Sequence, residues 1–230
     1  MAAIEAGQGG AVLCSGGLDS VVLLADVARR ARGERVVPLY VSVGLAWEAH
    51  ERALLERLLA APVFAGVDPL VALRFEMSDV YPATHWAIRG EAPAFDTPDE
   101  DVYLDGRNIV LLAKAAVFMA RAKLTRVYIG PLAGNPFPDA TAEFFASFAR
   151  SLTIGLASPI EVIAPYASLQ KADVIKLGRE LGVPLALTLS CMQPDRGMHC
   201  GRCSKCRERR DAFRDAELED PTQYAVAPLR

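Results

Sequence analysis

The segment Ser15-Gly16-Gly17-Leu18-Asp19-Ser20 is the most informative motif of this sequence. It follows a short apolar run at residues 11–14 and precedes a helical pattern that ends near Gly33. The two glycines allow a ligand to approach the backbone closely, and the free amides at a helix N-terminus attract anions. An aspartate beside phosphate groups is expected when Mg²⁺ lies between them. The segment therefore predicts a phosphate-binding turn, and the alternative is a plain turn in which Asp19 or Ser20 only caps the helix.

Strands and helices alternate along the rest of the chain. The hydrophobic pattern predicts strands at residues 36–43, 70–75, 126–129 and 160–164, and helices at residues 47–59, 107–123, 140–152, 168–181 and 204–218. In helix 47–59 the leucines are expected to face the core, with Glu51 on the opposite, polar side. Residues 78–104 have weak periodicity and three prolines, which predicts a long loop that is either functional or mobile. The alternation predicts the α/β class, with a doubly wound parallel sheet of the Rossmann-like kind.

Four of the five cysteines lie close together near the C-terminus: Cys191, Cys200, Cys203 and Cys206. Their short spacings suit four thiolates around one tetrahedral Zn²⁺, and an iron–sulfur cluster is the alternative that the spacing leaves open. Because four sulfurs complete the shell, we expect the adjacent His199 either behind the ligands or at the surface. We therefore predict two domains, an α/β nucleotide-binding domain at residues 1–185 and a zinc-binding region with a C-terminal helix and tail at residues 186–230.

Composition excludes several classes of protein. The 230 residues carry a formal net charge of -3 and are 52% hydrophobic, so the chain can form a sizeable core and is not disordered. Residues 1–7 lack the features of a signal peptide, and no apolar run reaches the roughly 20 residues of a membrane span, so we expect a cytoplasmic protein without a membrane partner. The acidic balance disfavours nucleic acid as a partner. The basic helix at residues 204–218 leaves nucleic-acid contact open, and we favour a solvated face paired with Glu208 and Asp211.

The opening segment resembles the SGGxDS loop of the PP-loop ATP pyrophosphatases. Together with the cysteine spacing, it makes the chain similar to one family of that superfamily, the 7-cyano-7-deazaguanine synthases of the queuosine pathway. Four further motifs carry the resemblance: Gly106-Arg107-Asn108, Gly134-Asn135-Pro136-Phe137-Pro138-Asp139, the segment from Pro165 through Lys171 to Gly178, and Thr188-Leu189-Ser190-Cys191. The resemblance spans about residues 11–213 and implies an adenine nucleotide alpha hydrolase-like fold.

The resemblance also implies the residues of the site. An ATP-binding segment is implied at Cys14, Ser15, Gly16, Gly17, Leu18, Asp19, Ser20, Val21, Val22, Leu23 and Leu24, although the Cys14 side chain itself is expected to be a small buried strand residue. Asp19 is implied to help bind Mg²⁺, and Lys171 and Arg107 are implied as catalytic cations near phosphates or a substrate carboxylate. Asn108 and Asp139 are the implied substrate-binding residues, with a cap of the next helix as the alternative for Asp139.

The family converts 7-carboxy-7-deazaguanine to a nitrile, which implies an ATP-dependent C–N ligase that uses a deazapurine carboxylate and ammonia. The sequence also allows a homodimer. Two alternatives stay open: a PP-loop enzyme that acts on another carboxylate or on tRNA, and a zinc-containing nucleic-acid-binding regulator. The chain departs from the family pattern at Val43-Gly44-Leu45-Ala46-Trp47, at Leu132-Ala133 and at Ala140, which predicts an altered acceptor pocket if these positions line it.

Overall fold

The structure is a computed structural model that describes residues 9–226. Five parallel strands form one sheet in the order β3-β2-β1-β4-β5. The strands are β1 (Gly10–Leu13), β2 (Val36–Ser42), β3 (Val71–Arg74), β4 (Arg126–Tyr128) and β5 (Glu161–Ile163). The helices are α1 (Leu18–Arg30), α2 (Glu48–Leu59), α3 (Trp86–Arg89), α4 (Arg107–Ala122), α5 (Ala142–Leu156), α6 (Lys171–Glu180) and α7 (Ser204–Asp215). The predicted absence of a signal peptide at residues 1–7, and the outer ends of the two predicted domains, lie outside the described residues.

A hydrophobic core lies on each face of the sheet. Successive side chains of a strand point to opposite faces, so Val12 of β1 belongs to one core while Ala11 and Leu13 belong to the other. Helices α1 and α6 cover the Val12 side, and α4 and α5 cover the opposite side. Strands β1 and β2 are almost wholly buried, as expected for strands covered on both faces. The predicted α/β class and doubly wound parallel sheet are confirmed.

Several helix boundaries differ from the prediction, and local hydrogen bonds explain two of them. Helix α5 begins two residues later than predicted because the Thr141 side chain caps it by accepting a hydrogen bond from the Phe144 amide. Helix α6 begins at Lys171 because Gln170 and Asp173 form a capping box that fixes its first turn. Helices α1 and α7 end earlier than predicted, at residues 30 and 215.

Residues 78–104, predicted as one long loop, contain regular structure. Helix α3 and the 3₁₀ helix Asp99–Val102 lie within this segment. Its aromatic side chains pack on the body of the protein: the rings of Trp47 and Trp86 stack with centroids 5.7 Å apart, and the Tyr81 hydroxyl donates to the Asp105 carbonyl. The segment is therefore a packed element beside the carboxyl ends of the strands. Among the helices of residues 9–226, none is long and apolar enough to cross a membrane.

Candidate active site and metal centre

A cavity of about 310 Å³ opens at the carboxyl ends of the central strands. The strand order reverses between β1 and β4, and open α/β sheets bind their ligands at such a switch point. The loop at residues 15–20, which we call the phosphate loop, lines one side of this cavity. Strand β2, the start of α4 and the segment after β4 supply the other walls, and Met192 and Lys205 reach it from the C-terminal region.

The phosphate loop is held by its own serines, and its helix end is left uncapped. The Ser20 hydroxyl donates to the Gly17 carbonyl over 2.9 Å, and the Ser15 hydroxyl accepts from the Gly17 amide over 3.2 Å. Gly16 has a φ of +83°, and a Cβ there would lie 3.2 Å from the Glu51 carbonyl oxygen, so this position requires glycine. No side chain caps α1. The alternative of a plain turn capped by Asp19 or Ser20 is therefore wrong, and the first amides of α1 remain available to an anion.

Asp19 and Lys171, both predicted as catalytic residues, meet beside this loop. The Lys171 Nζ atom lies 3.3 Å from Asp19 Oδ2 and also pairs with Glu208 of α7. Burial lowers the pKa of Lys171, but the two carboxylates outweigh burial and raise it overall. Burial also raises the pKa of Asp19, with Lys171 acting against the rise. Asp19 Oδ1 is buried without a hydrogen-bond partner among the described residues, and such a carboxylate oxygen fits a ligand of Mg²⁺.

The remaining residues of the implied ATP-binding segment divide into two groups. Cys14, Ser15, Gly17, Asp19 and Ser20 line the cavity. In contrast, the side chains of Leu18, Val21, Val22, Leu23 and Leu24 belong to the core beneath the loop. Burial raises the pKa of the Cys14 thiol to about 11, which agrees with its interpretation as a small buried strand residue. The buried side chains of Leu18 and residues 21–24 do not face the cavity, so their contact with a nucleotide is not supported. The full extent of the ATP-binding segment stays a prediction.

Arg107 shares the cavity with the carboxyl group of Glu51, a residue that was not predicted to belong to the site. Glu51 of α2 lines the same cavity, and its Oε2 atom accepts a hydrogen bond of 2.9 Å from the Tyr40 hydroxyl. Burial raises the pKa of Glu51 to about 7, and the positive charge of Arg107 acts against this rise. The Nε atom of Arg107 is buried without a hydrogen-bond partner among the described residues. The cavity therefore contains a cation with a free donor and a carboxyl group that titrates near neutral pH.

The prediction that Glu51 lies on the polar side of α2 is wrong. Glu48 and Glu51 are buried on the same face as Leu55 and Leu58. The signal was present in the numbering, because positions 48, 51, 55 and 58 follow the spacing of one helix face. Because Glu48 and Glu51 lie on the same helix face as buried leucines, this spacing indicates buried carboxylates with a specific role. Glu48 accepts hydrogen bonds from the Ser42 hydroxyl and the Val43 amide, so its task is to hold the end of β2.

Asn108 and Asp139, the predicted substrate-binding residues, bind each other. One oxygen of the Asp139 carboxylate accepts from the Asn108 backbone amide over 2.9 Å, and the other accepts from the Asn108 side chain over 3.2 Å. Both residues line the cavity. Asp139 therefore satisfies an amide in the first turn of α4, whereas Thr141 caps α5, so the alternative that Asp139 caps the next helix is wrong. Burial raises the pKa of Asp139.

The positions that depart from the family pattern lie outside the cavity lining. None of Val43-Gly44-Leu45-Ala46-Trp47, Leu132-Ala133 or Ala140 is among the described residues that line it. Leu132 packs against one core and Ala140 against the other. The predicted alteration of the acceptor pocket therefore has no support from these side chains. The residues that do line this side include Tyr103 and Phe137, whose rings stack with centroids 5.0 Å apart.

Cys191, Cys200, Cys203 and Cys206 converge into one buried cluster, with their sulfur atoms all within 4.8 Å of one another. The Cys200–Cys206 and Cys191–Cys203 sulfur pairs are 3.9 and 4.0 Å apart. Four sulfurs at a tetrahedral Zn²⁺ would be about 3.8 Å apart, given a zinc–sulfur bond of about 2.3 Å. Amides of residues 193, 200 and 202 donate to these sulfurs, which stabilises thiolate charge. The donor set therefore fits a closed four-thiolate metal site.

The buried side chains of His199 and Arg209 connect the cysteine cluster to neighbouring segments of the protein. The His199 Nε2 atom accepts from the Ser190 amide, and burial lowers the pKa of the imidazole to about 3, so His199 is neutral and buried. Its alternative placement at the surface is wrong. The Arg209 guanidinium is fully buried and donates to Thr188, Ser190 and Thr222. It therefore joins α7 to the segments on both sides of the cluster.

Helix α7 is only partly the solvated face that the sequence predicted. Arg214 and Arg210 pair with Asp211 as expected. Lys205 pairs with Glu208 as expected too, but Glu208 also pairs with Lys171 of α6, and Arg209 is buried, so these two contacts correct the prediction of a solvated face. The two lysines outweigh the effect of burial on Glu208 and lower its pKa to about 2. The basic residues of α7 therefore serve internal contacts as well as solvent.

The fold and the site together define a class: a Rossmann-like α/β protein with a phosphate-loop cavity at its switch point and a four-cysteine centre beside it. A family model described as "Queuosine biosynthesis protein QueC" matches residues 10–217. The chain belongs to this family.

Individual relatives agree with the family model over nearly the whole chain. A 7-cyano-7-deazaguanine synthase of Methanopyrus kandleri is 34% identical, covering 93% of this chain and 97% of the relative. One of Methanothrix thermoacetophila is 36% identical, covering 92% and 96%. A solved 4-thiouridine synthetase–RNA complex with bound ATP is similar at a TM-score of 0.48 and 17% identity, covering 92% of this chain and 52% of that one.

Proposed function

We propose that this chain is a 7-cyano-7-deazaguanine synthase of queuosine biosynthesis. It activates 7-carboxy-7-deazaguanine with ATP and joins it to ammonia. Membership of the family and the names of its relatives support the reaction. The observation that carries the proposal for these residues is the uncapped phosphate loop, which faces one cavity together with Asp19, Arg107 and Asp139.

On the nucleotide side, the residues that we assign to ATP are those of the phosphate loop with Lys171. The first amides of α1 and the Ser15 and Ser20 hydroxyls donate to phosphate oxygens. Asp19 is oriented by Lys171, and its unpartnered Oδ1 would hold Mg²⁺, which would neutralise phosphate charge when bound. The substrate carboxylate attacks the α-phosphorus of ATP, pyrophosphate leaves, and the acyl group becomes an adenylate.

On the acceptor side, the residues that we assign to the deazapurine are Arg107, Asn108 and Asp139. The free Nε of Arg107 can bind the substrate carboxylate before adenylation, when that group is negatively charged. Asp139 is fixed by Asn108 and can accept from an N–H edge of the purine-like ring. Ammonia then attacks the acyl carbon, AMP leaves, and an amide forms. The amide oxygen then attacks the α-phosphorus of a second ATP, pyrophosphate leaves, and the adenylated amide loses AMP and protons to give the nitrile.

The four cysteines would hold Zn²⁺ as a structural ion. When bound, this ion would cross-link residues 191–206. It would not act on substrate, because four thiolates leave no free coordination position. We also propose that residues 186–230 act as a zinc-binding region attached to the nucleotide-binding domain at residues 1–185. A cytoplasmic location and a homodimer are parts of the same proposal.

Mass spectrometry of the product tests the proposed function. Purified protein is incubated with 7-carboxy-7-deazaguanine, ATP, Mg²⁺ and isotopically labelled ammonium. We expect 7-cyano-7-deazaguanine with the label in its nitrile, together with AMP and pyrophosphate. AMP release with a different carboxylic acid, but with no deazapurine, would keep the ligase class and contradict the substrate. No AMP with any acid would contradict the function.

A further inference from the structure

Lys205 brings a cation from the cysteine-rich region into the proposed ATP site. It lies on the first turn of α7, between Cys203 and Cys206, and it lines the cavity with Asp19 and Ser20. Its side chain is only 19% exposed. The Nζ atom lies 2.7 Å from Glu208 Oε2 and 2.9 Å from Asp99 Oδ1. From the sequence, Lys205 is expected only on the basic face of the helix at residues 204–218, and the proposed mechanism gives it no role.

Glu208 holds Lys205 and Lys171 next to each other. Its Oε1 atom pairs with Lys171 and its Oε2 atom pairs with Lys205. Lys171 contacts Asp19 in turn, so the two ammonium groups lie between the phosphate loop and α7. Two fixed cations beside the uncapped N-terminus of α1 suit a ligand with two adjacent phosphate groups, because each group then meets a cation or a row of amides.

Asp99 is the partner of Lys205 that a phosphate can replace. The Asp99 side chain is 51% exposed, and exposed ion pairs contribute little to stability. Asp99 belongs to the segment at residues 93–101, and other contacts connect this segment to α7. The Arg207 and Arg210 guanidinium groups lie 5.8 and 5.2 Å from the Phe95 ring centre. Lys205 can therefore leave Asp99 without releasing the segment from α7.

We propose that Lys205 binds the pyrophosphate portion of ATP, exchanging Asp99 for a phosphate oxygen, and that Glu208 is the positioning residue for both lysines. This inference rests on the proposed function, which supplies ATP as the nucleotide. The competing explanation is that Lys205 only anchors the segment at residues 93–101 through Asp99.

Calorimetric titration of the full chain with Mg²⁺ and either ATP, pyrophosphate or AMP tests the inference. Lys205→Met should raise the Kd of ATP and of pyrophosphate by about 10- to 100-fold, since a charge-assisted hydrogen bond is lost. The Kd of AMP should change by less than about 3-fold, because AMP lacks the pyrophosphate portion. Lys176→Met is the matched control: it removes the same charge from an exposed position on α6 and should leave all three values unchanged. Lys205→Arg should restore most of the affinity.

Asp99→Asn separates the two explanations. If Lys205 binds pyrophosphate, removing its competing carboxylate should leave ATP binding unchanged or strengthen it. If Lys205 only anchors the segment through Asp99, this variant should weaken ATP binding as much as Lys205→Met does. Equal weakening would overturn the inference, and so would an equal loss of AMP and ATP affinity in Lys205→Met.

Acetylation of lysines in the wild-type protein gives an answer even if Lys205→Met fails to fold. Pyrophosphate and ATP should each protect Lys205 from acetic anhydride, while AMP should not, as measured by peptide mass spectrometry. Unchanged reactivity of Lys205 at saturating ATP would overturn the inference. A wild-type protein that binds neither ATP nor pyrophosphate would instead contradict the proposed function itself.

Discussion

The phosphate loop and the cysteine cluster are built by opposite means. The cluster takes all its ligands from residues 191–206, and its sulfurs are buried against one another. The cavity at the phosphate loop takes its lining from segments between residues 13 and 205 and stays open to solvent. A closed local site contributes to folding, whereas an open site that uses many strand ends is free to bind a ligand. Substitution of a cysteine of the cluster should therefore lower stability, whereas substitution of a residue that lines the cavity should lower activity.

The largest effect is expected from Cys203→Ser. Metal binding at a four-thiolate site is folding energy, so the variant should lose zinc and about 4 kcal/mol or more of unfolding free energy. Elemental analysis of the wild type should give about one zinc per chain, and denaturant titration gives the stability. Cys14→Ser, which changes a buried cysteine outside the cluster, should keep its zinc. Iron with visible absorption in the wild type would favour the iron–sulfur alternative and contradict the zinc assignment.

Asp19→Ala should have the opposite effect, because it should reduce activity and leave stability nearly unchanged. We expect the rate of AMP formation to fall by about 10²- to 10³-fold, because a charged group that organises the phosphate site is removed. The free energy of unfolding should change by less than about 1 kcal/mol, since Asp19 is not part of the core. Single-turnover assays with radiolabelled ATP measure the rate. Asp79→Ala, at an exposed position away from the cavity, serves as the control. Normal turnover in Asp19→Ala would refute the role of this loop.

The buried carboxyl of Glu51 should make stability depend on pH. Its pKa is about 7 in the folded protein against 4.5 ordinarily, so the folded state binds the proton more tightly. Stability should therefore fall as pH rises from about 4.5 to 7, by roughly 1–3 kcal/mol at most. Glu51→Gln should remove this decline. The stability of the variant relative to the wild type should therefore be higher at pH 8 than at pH 5. Identical pH profiles of the melting temperature for both proteins would contradict the raised pKa.

Asp139→Ala should have a small effect on stability and a selective effect on substrate binding. The variant loses the carboxylate that satisfies an amide of α4, which should cost about 1 kcal/mol. Because Asp139 also lines the cavity, the KM for the deazapurine acid should rise while the KM for ATP stays unchanged. Steady-state kinetics in each substrate, with thermal unfolding in parallel, measure both effects. Thr141→Ala, which removes the cap of α5, is the control: its KM values should match the wild type. Equal KM changes for both substrates in Asp139→Ala would remove the assignment of Asp139 to the acceptor side.

The features that the sequence predicts well are local in the chain. The turn before α1, the clustering of the four cysteines and the alternation of strands with helices each occupy a continuous stretch with its own pattern, and the structure contains all three. Helix boundaries were less accurate, because a cap such as Thr141 depends on one hydrogen bond rather than on periodicity.

Tertiary structure alone decided which distant residues share the cavity. Glu51 on α2 and Arg107 on α4 line the same cavity only because both helices begin at the carboxyl ends of the strands, and periodicity had suggested a polar surface for Glu51. Lys205 and Glu208 have the i,i+3 spacing of one helix, but the pair between Lys171 of α6 and Glu208 of α7 joins two helices, and no spacing encodes it. The departures from the family pattern were overestimated for the same reason: sequence comparison shows that Leu132 and Ala140 differ, and only packing shows that they face the cores rather than the cavity.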